Sequence, residues 1–391
     1  MGNILYLAWR YLKYYKGRSC ILVFCLTFAM ALPITVHRLV GALQTDMLQR
    51  ADETPLVVGP KGSRFDLALH ALYFEAEAPG IMTQSERFAI EDSGYAFSIP
   101  LFVMYQARGF PIVGTTLDYF TFRDIGVERG RMMTLIGDCV VGWEVAQRLG
   151  LSPGDRLLSD PENVFDLGGV YPLNMRVTGV LERNRTADDM AVFVDVKTSW
   201  IIEGIGHGHE EFYDDTDPAL ILEEDDDLVV ASPQLETYTE ITPDNIHTFH
   251  FHGDPRDFPL TAVIAVPEDD RSATLLLGRY VDGAGAYQAL RPSRVIGELM
   301  GMIVQLRRFF DVQHIVMLGV TSCFVFLVML LSTRLRSREV ETMYHLGCSR
   351  GTIIRLLAAE LCLVLVASVS LAFLLSSIVM SAVVWWVPMV F

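Results

Sequence analysis

Two stretches without a single charged side chain, Ser19 to Val36 and Ile315 to Ser332, constrain this chain more than anything else in it. Each has about the length that a helix needs to cross a hydrocarbon core of roughly 30 Å. Lipid offers the backbone no hydrogen-bond partner, so a crossing segment must pair its amides and carbonyls internally, as a helix does. A third run, Leu356 to Phe391, has Glu360 as its only charge and contains no glycine. A secretory leader is the alternative for the first run. The sequence after Val36, "HRLVGALQTDMLQR", has no small-residue cleavage site, so the run is read as a span. The third run would reach roughly 54 Å as one helix, longer than one perpendicular crossing, so it must protrude, tilt or fold into a short hairpin. Three spans are expected: 19–36, 314–332 and one within 356–391.

Charge sets the orientation. Residues 1–36 hold Arg10, Lys13, Lys16 and Arg18 with no acid, and residues 333–355 hold five arginines. Basic residues beside spans stay on the cytoplasmic side. Residues 37–312 then lie outside, carrying 22 of the 31 Lys+Arg and 44 of the 47 Asp+Glu, a net of −22 in a chain of net −16. So acidic a domain is a poor partner for nucleic acid or for an anionic membrane surface. Cys139 is its one cysteine, which leaves no intrachain disulfide in a domain large enough to fold on its apolar core.

Within the exterior the pattern is mixed α/β. "HRLVGALQTDMLQRA" continues the first span outward as a helical stalk. "TPLVVGPKGS" reads as a strand and turn, "FDLALHALYF" as an amphipathic helix, and "CVVGWEVAQRLGLSPGDRL" as a strand and a helix stopped by Gly150. "NMRVTGVLE" and "LTAVIAVPE" have β-branched residues at strand spacing. From Pro292 the apolar residues return to helical spacing, predicting a second stalk that leads into the second span. Residues 204–257 form an acidic, His-rich insertion.

Between the second and third runs, "SREVETMYHLGCSRGTIIRLLAAE" combines an arginine-rich stretch with an apolar ladder. Arg338 to Leu346 reads as a short helix with Val340, Met343, Tyr344 and Leu346 on roughly one side. Gly347 is its stop, and Ser349 caps the next helix. A helix resting on anionic lipid is the competing reading on residues alone.

This segment resembles that of the MacB/FtsX-type ABC transporter permeases, also called type VII or mechanotransmission transporters, through Arg338, Glu339, Val340, Leu346, Gly347, Arg350, Ile353 and Ile354. "LAWRYLKYYKGRS" is similar to that family's amphipathic N-terminal helix, here 1–18. "VVGPKGSRFDLALHALYF", "GFPIVGTTLDYF", "VVGWEVAQRLGLSPGDRL" and "DDMAVFVDVKTSW" resemble its MacB-like exterior core. The resemblance covers most of residues 1–200 and 260–375. Two features depart from it: members usually have a fourth span, and 204–257 has no counterpart in the family core. Tyr344 stands where members often have arginine.

The resemblance implies a multi-pass inner-membrane permease subunit that is not itself an enzyme. It implies a dimer with a second copy or a paralogue, joined to a separate cytoplasmic ABC ATPase and, in some systems, to a periplasmic adaptor. Residues 333–355 would be the coupling segment, with Arg338, Glu339, Val340, Met343, Leu346, Gly347 and Arg350 engaging the ATPase. The stalks would carry motion to the exterior to drive export or extraction of a lipoprotein, peptide or small molecule. An FtsX-like regulator of an envelope hydrolase is the second reading and a membrane-anchored exterior enzyme the third. No Ser-His-Asp or paired-carboxylate constellation stands out in favour of the enzyme.

Three smaller features complete the reading. "GPKGS" lacks the spacing of a phosphate-binding loop and is read as a β-to-α turn, so no nucleotide site and no cofactor are expected. His207 and His209 alternate, so on a strand they would reach one ion with Glu210 or Glu211 helping, and His250 with His252 offers a second pair, but glycine-separated loop histidines are read first as solvated. Glu360, about two turns into the third span, is expensive there as a lone carboxylate. It is read either as paired near the interface or as a polar contact between permease helices.

Overall fold

The computed structural model describes residues 2–75, 77–160, 172–208, 221–225, 228–231, 239–281, 285–335 and 337–386. Its helices are α1 Gly2–Tyr14, α2 Lys16–Glu53, α3 Arg64–Tyr73, α4 Gln84–Asp92, α5 Asp118–Arg123, α6 Trp143–Leu149, α7 Val196–Ile202, α8 Asp270–Arg279, α9 Pro292–Leu335, α10 Ser337–His345 and α11 Arg350–Trp386. Its strands are β1 Leu56–Pro60, β2 Met82–Thr83, β3 Ala96–Ala107, β4 Phe110–Thr115, β5 Val127–Gly130, β6 Asp138–Val141, β7 Arg156–Leu158 and β8 Asn174–Leu181. They continue with β9 Val192–Asp195, β10 Gly206–His207, β11 Ile221–Asp225, β12 Leu228–Ala231, β13 His250–Phe251, β14 Pro259–Leu260, β15 Ala262–Pro267 and β16 Tyr287–Leu290. The chain divides into two units, Met1–Asp46 with Met300–Phe391, and Met47–Leu299. Both divisions fall inside helices, α2 and α9, where the sequence predicts stalks continuing the spans.

In the first unit, α2, α9 and α11 each contain a stretch long and apolar enough to cross a membrane. Leu22 and Leu26 of α2, Val325 of α9 and Val364 of α11 form their shared core. The hairpin option for the third run is not what forms: α11 is one helix of 37 residues, about 55 Å. On α11 the buried positions recur every fourth residue, Glu360, Val364, Ser368, Ala372 and Ser376. This spacing keeps one face toward its neighbours, and small residues along it let backbones approach closely, which is the main source of helix affinity in lipid. Ser368 accordingly reaches across to α2, where its Oγ meets the Val23 carbonyl at 3.4 Å, and Arg38 of α2 donates to Ser377 Oγ at 3.0 Å.

The second unit is built on a ten-stranded sheet with the order β16-β1-β15-β3-β4-β9-β6-β8-β5, β7 adding to β8. β3 ties its two halves together. Residues 96–101 of β3 pair antiparallel with β15, and residues 102–107 pair antiparallel with β4 across a register shift between Phe102 and Tyr105. Along its middle, Ser98 to Val103, β3 is buried on both faces, with Ile99, Leu101, Phe102 and Val103 in the core. β4 and β9 run parallel, with α5, β6 and α6 among the elements between them in sequence. The elements read from sequence form where expected: β1, α3 capped by Ser63, β6, α6 ending at Gly150, β8 and β15.

Cys139 is buried on β6, and no cysteine in the chain is paired. Burial pushes its thiol well above the ordinary range, so it is a poor nucleophile. We therefore expect reductant to leave the unfolding temperature of the exterior unit unchanged. A drop of several degrees under dithiothreitol would mean that Cys139 pairs with another chain.

Candidate functional site

The segment that follows α9 is a short helix, a reversal and a long helix. α10 carries Arg338, Glu339, Val340 and Met343, and Leu346 and Gly347 follow its last residue. The reversal closes in a defined way. The Gly347 amide donates to the Tyr344 carbonyl and the Cys348 amide to the Met343 carbonyl, each at 3.0 Å. Gly347 itself has φ +88°, a left-handed conformation that an L side chain resists. Ser349 then caps α11, its Oγ accepting from the Thr352 amide at 3.3 Å. Stop and cap both lie where the sequence places them.

The apolar ladder is less uniform than its spacing suggests. Val340 and Met343 are half-buried, and Val340 and Tyr344 line a shallow hollow with Leu330 and Arg334 at the end of α9. Leu346 lies beyond the helix and is 80% exposed. The ladder is therefore uneven: Val340 and Met343 are half-buried, and Tyr344 and Leu346 are exposed. Arg350 Nε donates to the Tyr344 hydroxyl at 2.6 Å, fastening the start of α11 to α10 across the turn.

Glu360 is 1% exposed, and Arg18 of α2 comes within 4.0 Å of its carboxylate. The approach joins α2 and α11 of one chain, and it fits a paired carboxylate and a polar contact between helices alike.

A second polar cluster, in the exterior unit, is one that sequence reasoning missed. Arg50, in the last turn of α2, is buried and donates from Nη1 and Nη2 to the two carboxylate oxygens of Asp188 at 2.7 and 2.9 Å. Its Nε donates to the Leu72 carbonyl at the end of α3. Tyr119 of α5 donates to Asp188 at 2.6 Å and accepts from Arg50 at 3.1 Å. Asp188 is held in turn by Thr186, whose hydroxyl donates to it at 2.9 Å. Burial would push the Asp188 carboxyl up, but the Arg50 guanidinium overrides it and holds the group down at about 2. Burial and the Asp188 charge together push the Tyr119 hydroxyl up to about 12, so it stays a donor. One guanidinium thus ties the end of the first stalk to α3, α5 and the turn before β9. The available sequence signals were a lone arginine at the end of the stalk helix and an Asp-Asp pair just before a strand.

His207 and His250 are directly opposed on β10 and β13, a two-stranded ribbon rather than the loop expected, with His252 two residues further along. His209 lies outside the described residues. Glu360 and the segment around α10 belong to the first unit, and the Arg50 cluster and the histidines to the second.

No protein-family model and no curated protein matches this chain. Among solved structures it is similar to the extracellular domain of the noncanonic ABC-type transporter YknZ from Gram-positive bacteria, at 13% identity and TM-score 0.33, over 60% of this chain and 98% of that one. It is also similar to the periplasmic region of MacB from Actinobacillus actinomycetemcomitans, at 11% identity and TM-score 0.35, over 65% and 97%. Neither overlap reaches a TM-score of 0.5.

Proposed function

We propose that this chain is the permease subunit of a MacB/FtsX-type ABC transporter, passing the motion of a cytoplasmic ATPase to its exterior unit to drive export or extraction of a lipoprotein, peptide or small molecule. One observation carries the reading. Between two membrane-capable helices stands a short amphipathic helix closed by a left-handed glycine, with an apolar side chain left in solvent just past its end. An exposed leucine beside arginines is the composition of a small docking ridge, in which the apolar group supplies affinity and the charges fix register. In this reading the energy comes from a separate cytoplasmic ATPase. Arg338, Glu339, Val340, Met343, Leu346, Gly347 and Arg350 are assigned to that contact, and the remaining partners are a second permease copy and membrane lipid.

Cysteine labelling tests the arrangement. With native cysteines removed, a cysteine at Ser152 should react with an impermeant maleimide in intact cells, and one at Ser337 only after lysis. Labelling of Ser337 in intact cells would place α10 outside, where no ATP-driven partner exists, and would end this reading.

A further inference from the structure

We infer that His207, His250 and His252 form a binding site for a borderline-soft divalent metal ion, of which Zn²⁺ is the representative, at the base of the acidic insertion. The inference stands apart from the permease reading, because it uses only the ribbon that opens and closes residues 204–257.

The ribbon's register puts the three rings together. Gly206 faces Phe251 and His207 faces His250, and the His252 amide continues the ladder by donating to the Ile205 carbonyl at 2.9 Å. Side chains alternate faces along a strand, so His207, His250 and His252 share one face, and Phe249 and Phe251 take the other. The phenylalanine face is anchored. Phe251 packs against Trp200 and Phe258 with ring centroids 6.4 and 5.9 Å away. The glycines of "GHGH" are explained by the same face. A Cβ at Gly206 would lie 2.7 Å from the Phe251 ring, and one at Gly208 would lie 2.6 Å from Phe249. With the aromatic side fixed to the core, the ribbon cannot turn over, and the histidines are held together on its outer side.

The geometry suits a metal. Ring centroids are 4.8 to 4.9 Å apart for all three pairs, and one nitrogen from each ring lies within 4.8 Å of the others. Nitrogens of a tetrahedral site with metal–nitrogen bonds of about 2.0–2.1 Å stand roughly 3.4 Å apart, a separation that side-chain rotation can reach. His250 Nδ1 meets the Thr248 carbonyl at 3.0 Å; the tautomer that donates there carries its lone pair on Nε2, as a ligating histidine held by an outer partner does. Three neutral imidazoles leave a fourth position for water or another donor. Nitrogen ligands select Zn²⁺, Ni²⁺ or Cu²⁺ over Ca²⁺ or Mg²⁺, which take oxygen. The acidic exterior, net −22 over residues 37–312, would raise the local cation concentration.

The test uses the full chain in detergent, freed of metal by chelator and titrated with ZnCl₂ against a chromophoric competitor. We expect one Zn²⁺ per chain and a metal-dependent rise in unfolding temperature. His207→Ala and His250→Ala should each weaken Zn²⁺ binding on the order of a hundredfold without changing the metal-free unfolding temperature. His252→Ala, at an exposed position, serves where either of those variants fails to fold. Co²⁺ should give the intense visible bands of a four-coordinate nitrogen site. Binding that survives the alanine variants, or that millimolar Ca²⁺ displaces, belongs to the acidic side chains and overturns the assignment, as does the absence of a one-to-one site.

Discussion

Replacing Arg50 by methionine is expected to cost the exterior unit about 3–5 kcal/mol, toward the lower end because Arg123 also stands near Asp188. The size follows from what is left behind. Methionine fills much of the space, but Asp188 then stays buried with Tyr119 and Thr186 as its remaining hydrogen-bond donors, a carboxylate without its cation. Replacing both partners removes the stranded carboxylate, so Arg50→Met with Asp188→Leu should recover part of the loss, limited by Arg123, which loses the nearby Asp188 charge. That rescue separates a charge effect from simple loss of packing. Acid should act in the same direction. Asp188 sits at about 2 in the folded chain against an ordinary 3.8, so its contribution is fully present above about pH 4 and is lost as pH falls toward 2. Hydrogen exchange across α5 and residues 186–190, in the full chain in detergent, reads all three effects. Exchange rates unchanged in Arg50→Met would show that the cluster does not hold the end of α2 to its surroundings.

That cluster also marks where sequence reading stops. The spans, the two stalks, α3, α6 and β8 were legible because each depends on local pattern: uncharged runs, helical or two-residue spacing, a glycine at a helix end. Gly347 and Ser349 were legible for the same reason, since a left-handed stop and a hydroxyl cap need no distant partner. The Arg50–Asp188 pair spans 138 residues of sequence, and nothing near either residue names the other. The long strand β3 was missed because burial on both faces erases the alternation by which a strand is recognised. The histidines were visible as a pattern but not as a site. Their convergence depends on the register of β10 against β13, and that register is fixed by Phe251 over Gly206, a contact no spacing rule reports. Leu346 shows the reverse limit: helical spacing put it with Val340 and Met343, but the helix ends one residue earlier and leaves it outward.

This outward leucine gives the coupling proposal its sharpest consequence. Met343→Asp with Leu346→Asp should lower affinity for the partner ATPase by roughly a thousandfold or more, because two carboxylates would be pressed against an apolar wall, at several kcal/mol in total. Leu346 is 80% exposed in the chain alone, so aspartate there costs the fold little, and the variant should insert and purify normally. Gly347→Val acts on a different step. At φ +88° a β-branched residue is strained, so the reversal between α10 and α11 would change course while the docking side chains remain. We expect the valine variant to keep measurable ATPase association and lose ATP-dependent function, and the aspartate variant to lose both. The experiment is co-purification in detergent with the ATPase, followed by assay of ATP-driven activity. A helix that merely rests on anionic lipid predicts no effect of either change on association. Retention of the ATPase at wild-type yield by the aspartate variant would therefore assign α10 to the membrane surface instead of to a docking groove.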